Sequence, residues 1–271
     1  MQESSTKTSF RQRVIIFIIA ILMLGSFVAV YAGIVLGGNK STSNNLNIDQ
    51  NKVAELKAAY DEAEAAAAPV KTALNDQYFE TLKSYKSEVK AFNSESANSS
   101  EVVATDLAAG SGRELTAGDT DYYAYYIGWC ADEKIFDSSF DNSDNPTSLK
   151  DPLAVGNMSL ITGWTEGVVG MKLGGVRELT IPSAKAYASE DKGCGENAPI
   201  KFVVLAFTPS DEQKSLLETA TLASNRYNFY SSYGMDYDEY MSQLEQATTP
   251  TSETDSTEAG TTESDASETT E

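Results

Sequence analysis

The residues of this chain that could do chemistry are one carboxylate and several aromatic side chains. Asp137 directly follows Phe136, and Trp164 and Tyr187 lie further along the chain. The 271 residues include no His, which excludes Ser-His and Cys-His nucleophiles, imidazole general bases and most zinc sites. Two cysteines without His are too few for a metal site. The set therefore indicates a site that works through apolar contacts and hydrogen bonds, without a metal or cofactor.

Residues 119–207, which contain this set, have the pattern of antiparallel strands around one helix. Residues 122–126 are rich in strand-forming tyrosine, residues 176–181 alternate apolar and polar side chains, and residues 202–207 are almost all apolar. Residues 165–171 are the predicted helix. The sequence therefore predicts an α+β fold, a curved antiparallel sheet with a short helix against one face.

Six short motifs follow one another in this region. They are Tyr126-Ile127-Gly128, Phe136-Asp137-Ser138-Ser139, Gly163-Trp164-Thr165-Glu166-Gly167, Gly170-Met171-Lys172-Leu173-Gly174-Gly175, Ile181-Pro182 and Ala186-Tyr187. Their order, spacing and identities resemble those of FKBP-type peptidyl-prolyl cis/trans isomerases. The resemblance implies a half-barrel sheet wrapped on a helix, and an enzyme that turns X-Pro peptide bonds in proline-containing polypeptides without a cofactor.

The resemblance also implies a role for individual residues. Trp164 matches the indole that forms the floor of the pocket beneath the proline ring, Asp137 matches a buried carboxylate that faces the reacting amide, and Tyr187 matches a hydroxyl that binds a substrate carbonyl. The aromatic walls and the aliphatic pair before the floor match Tyr126, Phe136, Phe202, Leu160 and Ile161.

The loop at residues 188–199 departs from the family's pattern, because the usual Ile-Pro-Pro-like stretch is missing and Cys194 lies near the position of that Ile. The other cysteine, Cys130, follows the Tyr126-Ile127-Gly128 motif. Outside the cytoplasm two cysteines tend to pair, so we predict a Cys130–Cys194 disulfide that holds this loop. The altered loop leaves an alternative function, a weakly active or inactive holdase that only binds peptides.

The composition argues against nucleic acid as a partner. Lys and Arg number 20 and Asp and Glu 40, giving a formal net charge of −20. Binding to phosphates needs a basic surface, and no run rich in Lys and Arg is present beyond the first residues.

Residues 14–36 form an almost unbroken apolar run that is long enough to span a bilayer as a helix. Lys7, Arg11 and Arg13 precede it, so by the positive-inside rule residues 1–13 stay in the cytoplasm and the rest lies outside. The sequence therefore predicts a single-pass membrane anchor.

The alternative reading of this run is a signal peptide cleaved near Ala32, which would release a secreted protein. We favour the anchor because the run is longer than a usual signal sequence. In both cases the isomerase-like domain, predicted at residues 101–209, lies outside the cytoplasm.

Helical segments are predicted on both sides of that domain. After a linker at residues 37–50, residues 51–93 have amphipathic periodicity, with one helix ending near Pro69 and a second carrying an apolar stripe as far as Phe92. Residues 210–246 form a second helical segment. It begins with a capping box of Ser210 and Gln213, and a weaker one of Asp236 and Glu239 follows.

Residues 233–240 faintly resemble a motif in the helical part of trigger-factor chaperones. This resemblance implies one helical domain that could hold unfolded clients, with the isomerase inserted between its halves. The alternative, which we favour, is a helix pair that only packs on its neighbours. Residues 247–271 are mostly Thr, Ser, Glu and Asp, with one Pro, one Gly and no large apolar side chain, and we predict a disordered acidic spacer there. A binding tail is the alternative.

Overall fold

The computed structural model describes residues 48–98 and 101–248. A six-stranded sheet forms its centre, with strand order β1-β5-β6-β2-β3 and β4 paired with β2, and all pairs are antiparallel. The strands are β1 (Val103–Ala108), β2 (Tyr123–Trp129), β3 (Ile135–Ser138), β4 (Leu153–Ala154), β5 (Val176–Ile181) and β6 (Ile200–Phe207). The predicted α+β class, a sheet with flanking helices, is confirmed.

Four helices come before or after the strands of the sheet in the chain, and one helix lies between two of the strands. They are α1 (Gln50–Ser84), α2 (Ser94–Ala97), α3 (Thr162–Gly167), α4 (Asp211–Tyr233) and α5 (Tyr237–Thr248). Short 3-10 turns occur at Tyr85–Glu88, Val155–Asn157 and Ser183–Lys185.

Both faces of the sheet are buried, which explains why its two central strands are apolar almost throughout. On the inner face, Phe202 and Val204 pack with α3. On the outer face, Tyr125 and Val203 pack with residues of α1 and α4. Successive side chains of a strand point to opposite faces, so a strand between two cores needs apolar residues at every position.

Helix α1 is continuous over 35 residues, a length of about 52 Å. The predicted break at Pro69 is therefore wrong. Proline removes one hydrogen-bond donor from the helix interior, but Ala67 and Val70 on either side of it are buried, and four alanines precede it. The packing of that face and the helix propensity of alanine offset the lost bond.

The apolar stripe predicted to continue as helix to residue 93 is helical only as far as Ser84. A 3-10 turn at Tyr85–Glu88 follows, then extended chain and the short helix α2. Tyr85, Val89 and Phe92 still pack against the outer core, so the apolar residues were identified correctly but their backbone was not. Asn93 caps α2 by accepting a hydrogen bond from the Ser96 N–H at 2.8 Å.

Helix α3 begins three residues earlier than predicted and ends four residues earlier. It ends at Gly167, and Gly170, which the prediction placed inside the helix, has a φ of +79°. A left-handed backbone conformation terminates a right-handed helix, and Gly adopts it without strain. The shift places Trp164 in the first turn of the helix.

Helix α4 begins at the predicted capping box. The Ser210 hydroxyl accepts a hydrogen bond from the Gln213 N–H at 3.3 Å, and the Gln213 side chain accepts one from the Ser210 N–H at 3.0 Å. Asp236 caps α5 by accepting hydrogen bonds from two backbone N–H groups of its first turn. Because α5 extends to Thr248, the predicted disordered tail begins two residues too early.

The helices before and after the sheet pack against each other. Tyr60 of α1 stacks on Tyr227 of α4 with ring centroids 5.8 Å apart. Ile48, next to the start of α1, lies beside Gly234 at the end of α4. The sheet therefore lies in the chain between helices that pack against each other.

No helix within residues 48–98 or 101–248 is long and apolar enough to cross a bilayer. The predicted span at residues 14–36, with the segment before it and most of the linker after it, lies outside the described residues. So does the predicted tail from residue 249 onwards.

Candidate functional site

Five aromatic rings form one cluster on the inner face of the sheet. Centroid distances are 5.3 Å for Trp164–Phe202, 5.7 Å for Tyr126–Trp164 and 5.9 Å for Tyr126–Phe202. Phe136 continues the chain of contacts, 5.6 Å from Phe202 and 6.2 Å from Tyr187. All five pairs are tilted by 66° to 90°, the edge-to-face geometry that aromatic pairs favour.

The cluster has a buried floor and a half-buried wall. Trp164 and Phe202 are 3% and 4% exposed. The residues that pack on them while remaining partly accessible are Tyr126, Phe136, Leu160, Ile161, Tyr187 and Cys194. The structure therefore brings together the seven aromatic and aliphatic residues that the resemblance assigned to the pocket, and it places Cys194 of the altered loop against the same core.

A glycine makes room for two of the rings. Gly128 lies on β2, and a Cβ atom at this position would come within 2.5 Å of the Phe202 ring and 3.0 Å of the Phe136 ring. Any larger residue would displace both aromatic walls. The sequence motif contained Gly128, but only the structure shows that its function is this clearance.

Ser139 fixes the backbone of Tyr126. Its hydroxyl accepts a hydrogen bond from the Tyr126 N–H at 2.9 Å, and its own N–H donates to the Tyr126 carbonyl at 2.9 Å. Sequence reasoning assigned Ser139 to a motif without giving it a role. A serine just after a strand is a weak sequence signal for a role in the site, because serine is common in loops.

The helix that carries Trp164 is held at its C-terminus by Arg177 of β5. The guanidinium donates to the carbonyls of Gly167 and Val169 at 3.1 and 2.8 Å, and forms a two-bond pair with Asp106 of β1 at 2.6 and 3.1 Å. The buried guanidinium is tolerated here because its Nε, Nη1 and Nη2 groups all donate hydrogen bonds to acceptors. The pair with Arg177 also lowers the pKa of Asp106.

Asp137 is exposed in the structure, so its predicted burial is wrong. It lies on β3 at the edge of the sheet, where its carboxylate reaches solvent while one oxygen accepts a hydrogen bond from the Tyr126 hydroxyl at 2.7 Å. The other oxygen accepts from the Ser138 N–H at 2.8 Å. Solvent and these two donors stabilise the charge, so no buried unpaired carboxylate has to be explained.

The two tyrosine hydroxyls of the pocket are held in their neutral form. Burial, and then the negative charge of Asp137, raise the pKa of Tyr126 far above its usual value. Burial and the same carboxylate raise the pKa of Tyr187 to about 12. No described residue forms a hydrogen bond with the Tyr187 hydroxyl, which is therefore available as a donor to a bound molecule.

We expect the activity of the site to be independent of Tyr187 ionisation up to pH 10.5. An ordinary tyrosine ionises near pH 10, whereas a pKa of about 12 keeps this hydroxyl protonated as a donor. The rate constant for turning over a proline peptide, measured by exchange NMR from pH 7 to 10.5, should stay level. Tyr187→Phe should lower it at every pH; a fall centred near pH 10 that Tyr187→Phe abolishes would contradict this assignment.

A disulfide joins Cys130, just after β2, to Cys194 in the loop at residues 188–199, as predicted. Asp191 also orders the loop by accepting hydrogen bonds from the N–H groups of Gly193 and Gly195 at 2.7 and 2.9 Å. Within residues 48–98 and 101–248, no group of three or more His, Cys, Asp or Glu could hold a metal ion.

Known proteins resemble the part of the chain that contains this cluster. A protein-family model described as FKBP-type peptidyl-prolyl cis-trans isomerase matches residues 112–205. An FK506-binding protein of Neisseria meningitidis serogroup B is 37% identical over 92 residues, which are 34% of this chain and 79% of that protein. An FK506-binding protein of Streptomyces anulatus is 38% identical over 95 residues, 35% of this chain and 72% of that protein.

Among solved structures, a peptidyl-prolyl cis-trans isomerase from Pseudomonas syringae pv. tomato is 25% identical, with a TM-score of 0.30, and the match covers 49% of this chain and 93% of that one. The family match at residues 112–205 includes every residue of the aromatic cluster. It does not include α1, β1, α4 or α5.

Proposed function

The chain belongs to the family of FKBP-type peptidyl-prolyl cis-trans isomerases, and on that basis we propose that its aromatic cluster binds and isomerises X-Pro bonds of folding polypeptides. The observation that carries the proposal is the convergence of three groups. A buried apolar floor at Trp164 and Phe202, the Asp137 carboxylate and the uncommitted Tyr187 hydroxyl lie around one set of contacting rings.

The physical task is to lower a rotation barrier. Resonance gives the peptide bond a barrier of about 18–20 kcal/mol, and an uncatalysed X-Pro bond takes tens to hundreds of seconds to isomerise. A twisted amide has lost resonance and is less dipolar than a planar one. An apolar floor such as Trp164 and Phe202, each less than 5% exposed, therefore disfavours the planar state more than the twisted state.

The polar groups add binding that depends on geometry. The Tyr187 hydroxyl is a neutral donor for a substrate carbonyl, and Asp137 orients the Tyr126 hydroxyl, whose ring is part of the wall. Hydrogen bonds of this kind accelerate the reaction only if they are stronger in the twisted state. No covalent intermediate is needed, in keeping with a chain that has no His.

Exchange NMR on a short proline peptide tests the proposal. Catalytic amounts of the full chain should produce exchange cross-peaks between the cis and trans resonances within seconds, while the peptide alone produces none on that timescale. Tyr123→Phe, a change on the opposite face of the sheet, should leave the exchange rate unchanged. A wild-type chain that produces no exchange would refute the proposal.

We further propose that the pocket acts outside the cytoplasm, on exported or surface proteins. The apolar run at residues 14–36, preceded by basic residues, supports a single-pass anchor, and a disulfide is typical of oxidising compartments. Cleavage near Ala32 and secretion is the alternative form of this proposal.

Protease treatment of intact cells tests the location. Before protease is added, an anchored chain should be found in the membrane fraction. If the chain faces outwards, protease added to intact cells should then digest it. A chain that is protected in intact cells would contradict this location, and a chain in the medium that lacks residues 1–32 would favour the secreted form.

A second candidate function is a holdase that binds clients without turnover, as the faint trigger-factor resemblance implies. The exposed Tyr233 and Met235 at the junction of α4 and α5, 37% and 47% accessible, favour it. In the exchange experiment a holdase would broaden the peptide resonances without exchange cross-peaks. Binding of an unfolded polypeptide that is lost in a Tyr233→Ser, Met235→Ser variant, with isomerisation intact, would indicate that both functions are present.

A further inference from the structure

The floor of the pocket has a hydrogen-bond partner that does not line the pocket. The Nε1 hydrogen of Trp164 is donated to the hydroxyl of Tyr122 at 3.1 Å. Trp164 is 3% exposed and Tyr122 is 2% exposed. Tyr122 makes none of the ring contacts that join the five residues of the aromatic cluster, so we expect any effect it has on the reaction to act through its hydrogen bond to the indole.

The backbone of Tyr122 is held at a junction of several elements. Its carbonyl accepts a hydrogen bond from the Val155 N–H at 3.1 Å. The preceding residue, Asp121, forms an ion pair with Lys214 of α4, and its carbonyl accepts a hydrogen bond from Arg113 at 2.8 Å. The Tyr122 hydroxyl is therefore presented from a fixed position.

The bond restricts the orientation of the indole ring. A buried N–H without an acceptor is costly, so the ring orientation that reaches Tyr122 is favoured over others of similar packing. In this orientation the indole meets Tyr126 at 88° and Phe202 at 75°, which keeps the three rings of the pocket in edge contact.

We propose that Tyr122 is a positioning residue for the isomerase: its hydroxyl fixes the plane of the Trp164 indole and so sets how well the pocket holds the proline ring. This role rests on the proposed function. It does not require that Tyr122 touch the substrate, and it predicts a coupling between two particular side chains.

A double-mutant cycle isolates that coupling. Tyr122→Phe removes one oxygen atom, and we expect it to lower kcat/KM about fivefold, mainly through a higher KM, which is the effect of one typical hydrogen bond. Trp164→Phe removes the donor. In that background Tyr122→Phe should change kcat/KM by less than about 1.5-fold, since the interaction is already gone.

Tyr123→Phe is the matched control. Tyr123 is the next residue, 5% exposed, and it packs in the outer core. The same loss of a buried tyrosine oxygen on that face should leave both kcat and KM unchanged. Equal losses for Tyr122→Phe in the wild-type and Trp164→Phe backgrounds would overturn the positioning role, because they would reveal a general structural effect.

Hydrogen exchange of the indole tests the contact without a mutation. The chain has two Trp, and Trp129 donates its own indole N–H to the Lys90 carbonyl at 3.1 Å, so Trp129→Phe assigns the two NMR signals. The Trp164 signal should be protected in the wild-type chain and lose protection in Tyr122→Phe. Rapid exchange in the wild type would overturn the inference. An inactive wild type with a protected indole would instead refute the proposed function, and the role of Tyr122 with it.

Discussion

Replacement of Trp164 by Ala is expected to lower kcat/KM about a hundredfold, which corresponds to about 2.7 kcal/mol of lost transition-state stabilisation. The indole is the largest buried side chain of the inner cluster and contacts both Tyr126 and Phe202. Without the indole, a cavity would replace the floor beneath the proline ring, and Tyr126 and Phe202 would lose their edge-to-face contacts with it. The measurement is a protease-coupled isomerisation assay on an Ala-Leu-Pro-Phe peptide.

The same change should also lower the free energy of unfolding by about 3–5 kcal/mol, as for other buried large-to-small substitutions. Trp129→Ala is the matched control, because Trp129 is fully buried in the outer core. It should cost similar stability in a denaturant titration while kcat/KM falls less than about threefold at temperatures where the variant is folded. Equal activity losses in the two variants would mean that Trp164 matters only for folding.

Removal of the disulfide is expected to lower the free energy of unfolding by about 4 kcal/mol. The bond closes a long loop, because Cys130 and Cys194 have a sequence separation of 64, and loop-closure entropy in the unfolded chain grows with loop length. Cys194 also packs against the aromatic cluster. Release of the loop should therefore raise KM for a proline peptide about threefold or more, the effect of losing one good contact.

The test compares the wild-type chain, with and without reductant, and the double variant Cys130→Ser, Cys194→Ser. Reductant should shift the urea midpoint of the wild type to that of the double variant and should not affect the double variant itself. Two free thiols in the native oxidised chain, or equal midpoints for all samples, would contradict the role of the disulfide.

Most residues of the site could be identified from the sequence because they are large aromatic residues, several of them in a recognisable series of motifs. Tyr126 and Trp164 lie in the motifs that carry the family resemblance, and Phe202 lies in a strand between two cores, which produces a recognisable apolar run. The pairing of the two cysteines followed from their number and from the predicted compartment.

Properties that depend on contacts between distant segments could not be predicted in this way. The exposure of Asp137 depends on β3 lying at the edge of the sheet, and the role of Tyr122 depends on a hydroxyl 42 residues away from Trp164 in the sequence. The continuity of α1 through Pro69 is also a tertiary effect, since packing on both sides of the proline outweighs its local preference.

The flanking helices give the sheet a second core. In α1, Leu74 and Leu82 are 2% and 0% exposed, and both pack on the outer face of the strands that carry Tyr126 and Phe202. Because the outer core packs against one face of these strands, the strands hold the pocket rings on their other face in position. The family model matches residues 112–205 and does not include these helices.

The most direct test of the central claim is the protease-coupled rate for the wild-type chain, Asp137→Asn and Asp137→Ala. The wild type should accelerate isomerisation of an Ala-Leu-Pro-Phe peptide well above background. Asp137→Ala should lose about tenfold in kcat/KM, since it removes the acceptor of a charge-assisted hydrogen bond from Tyr126, and Asp137→Asn should lose less. A wild-type rate equal to background, or a rate unchanged in Asp137→Ala, would contradict the account.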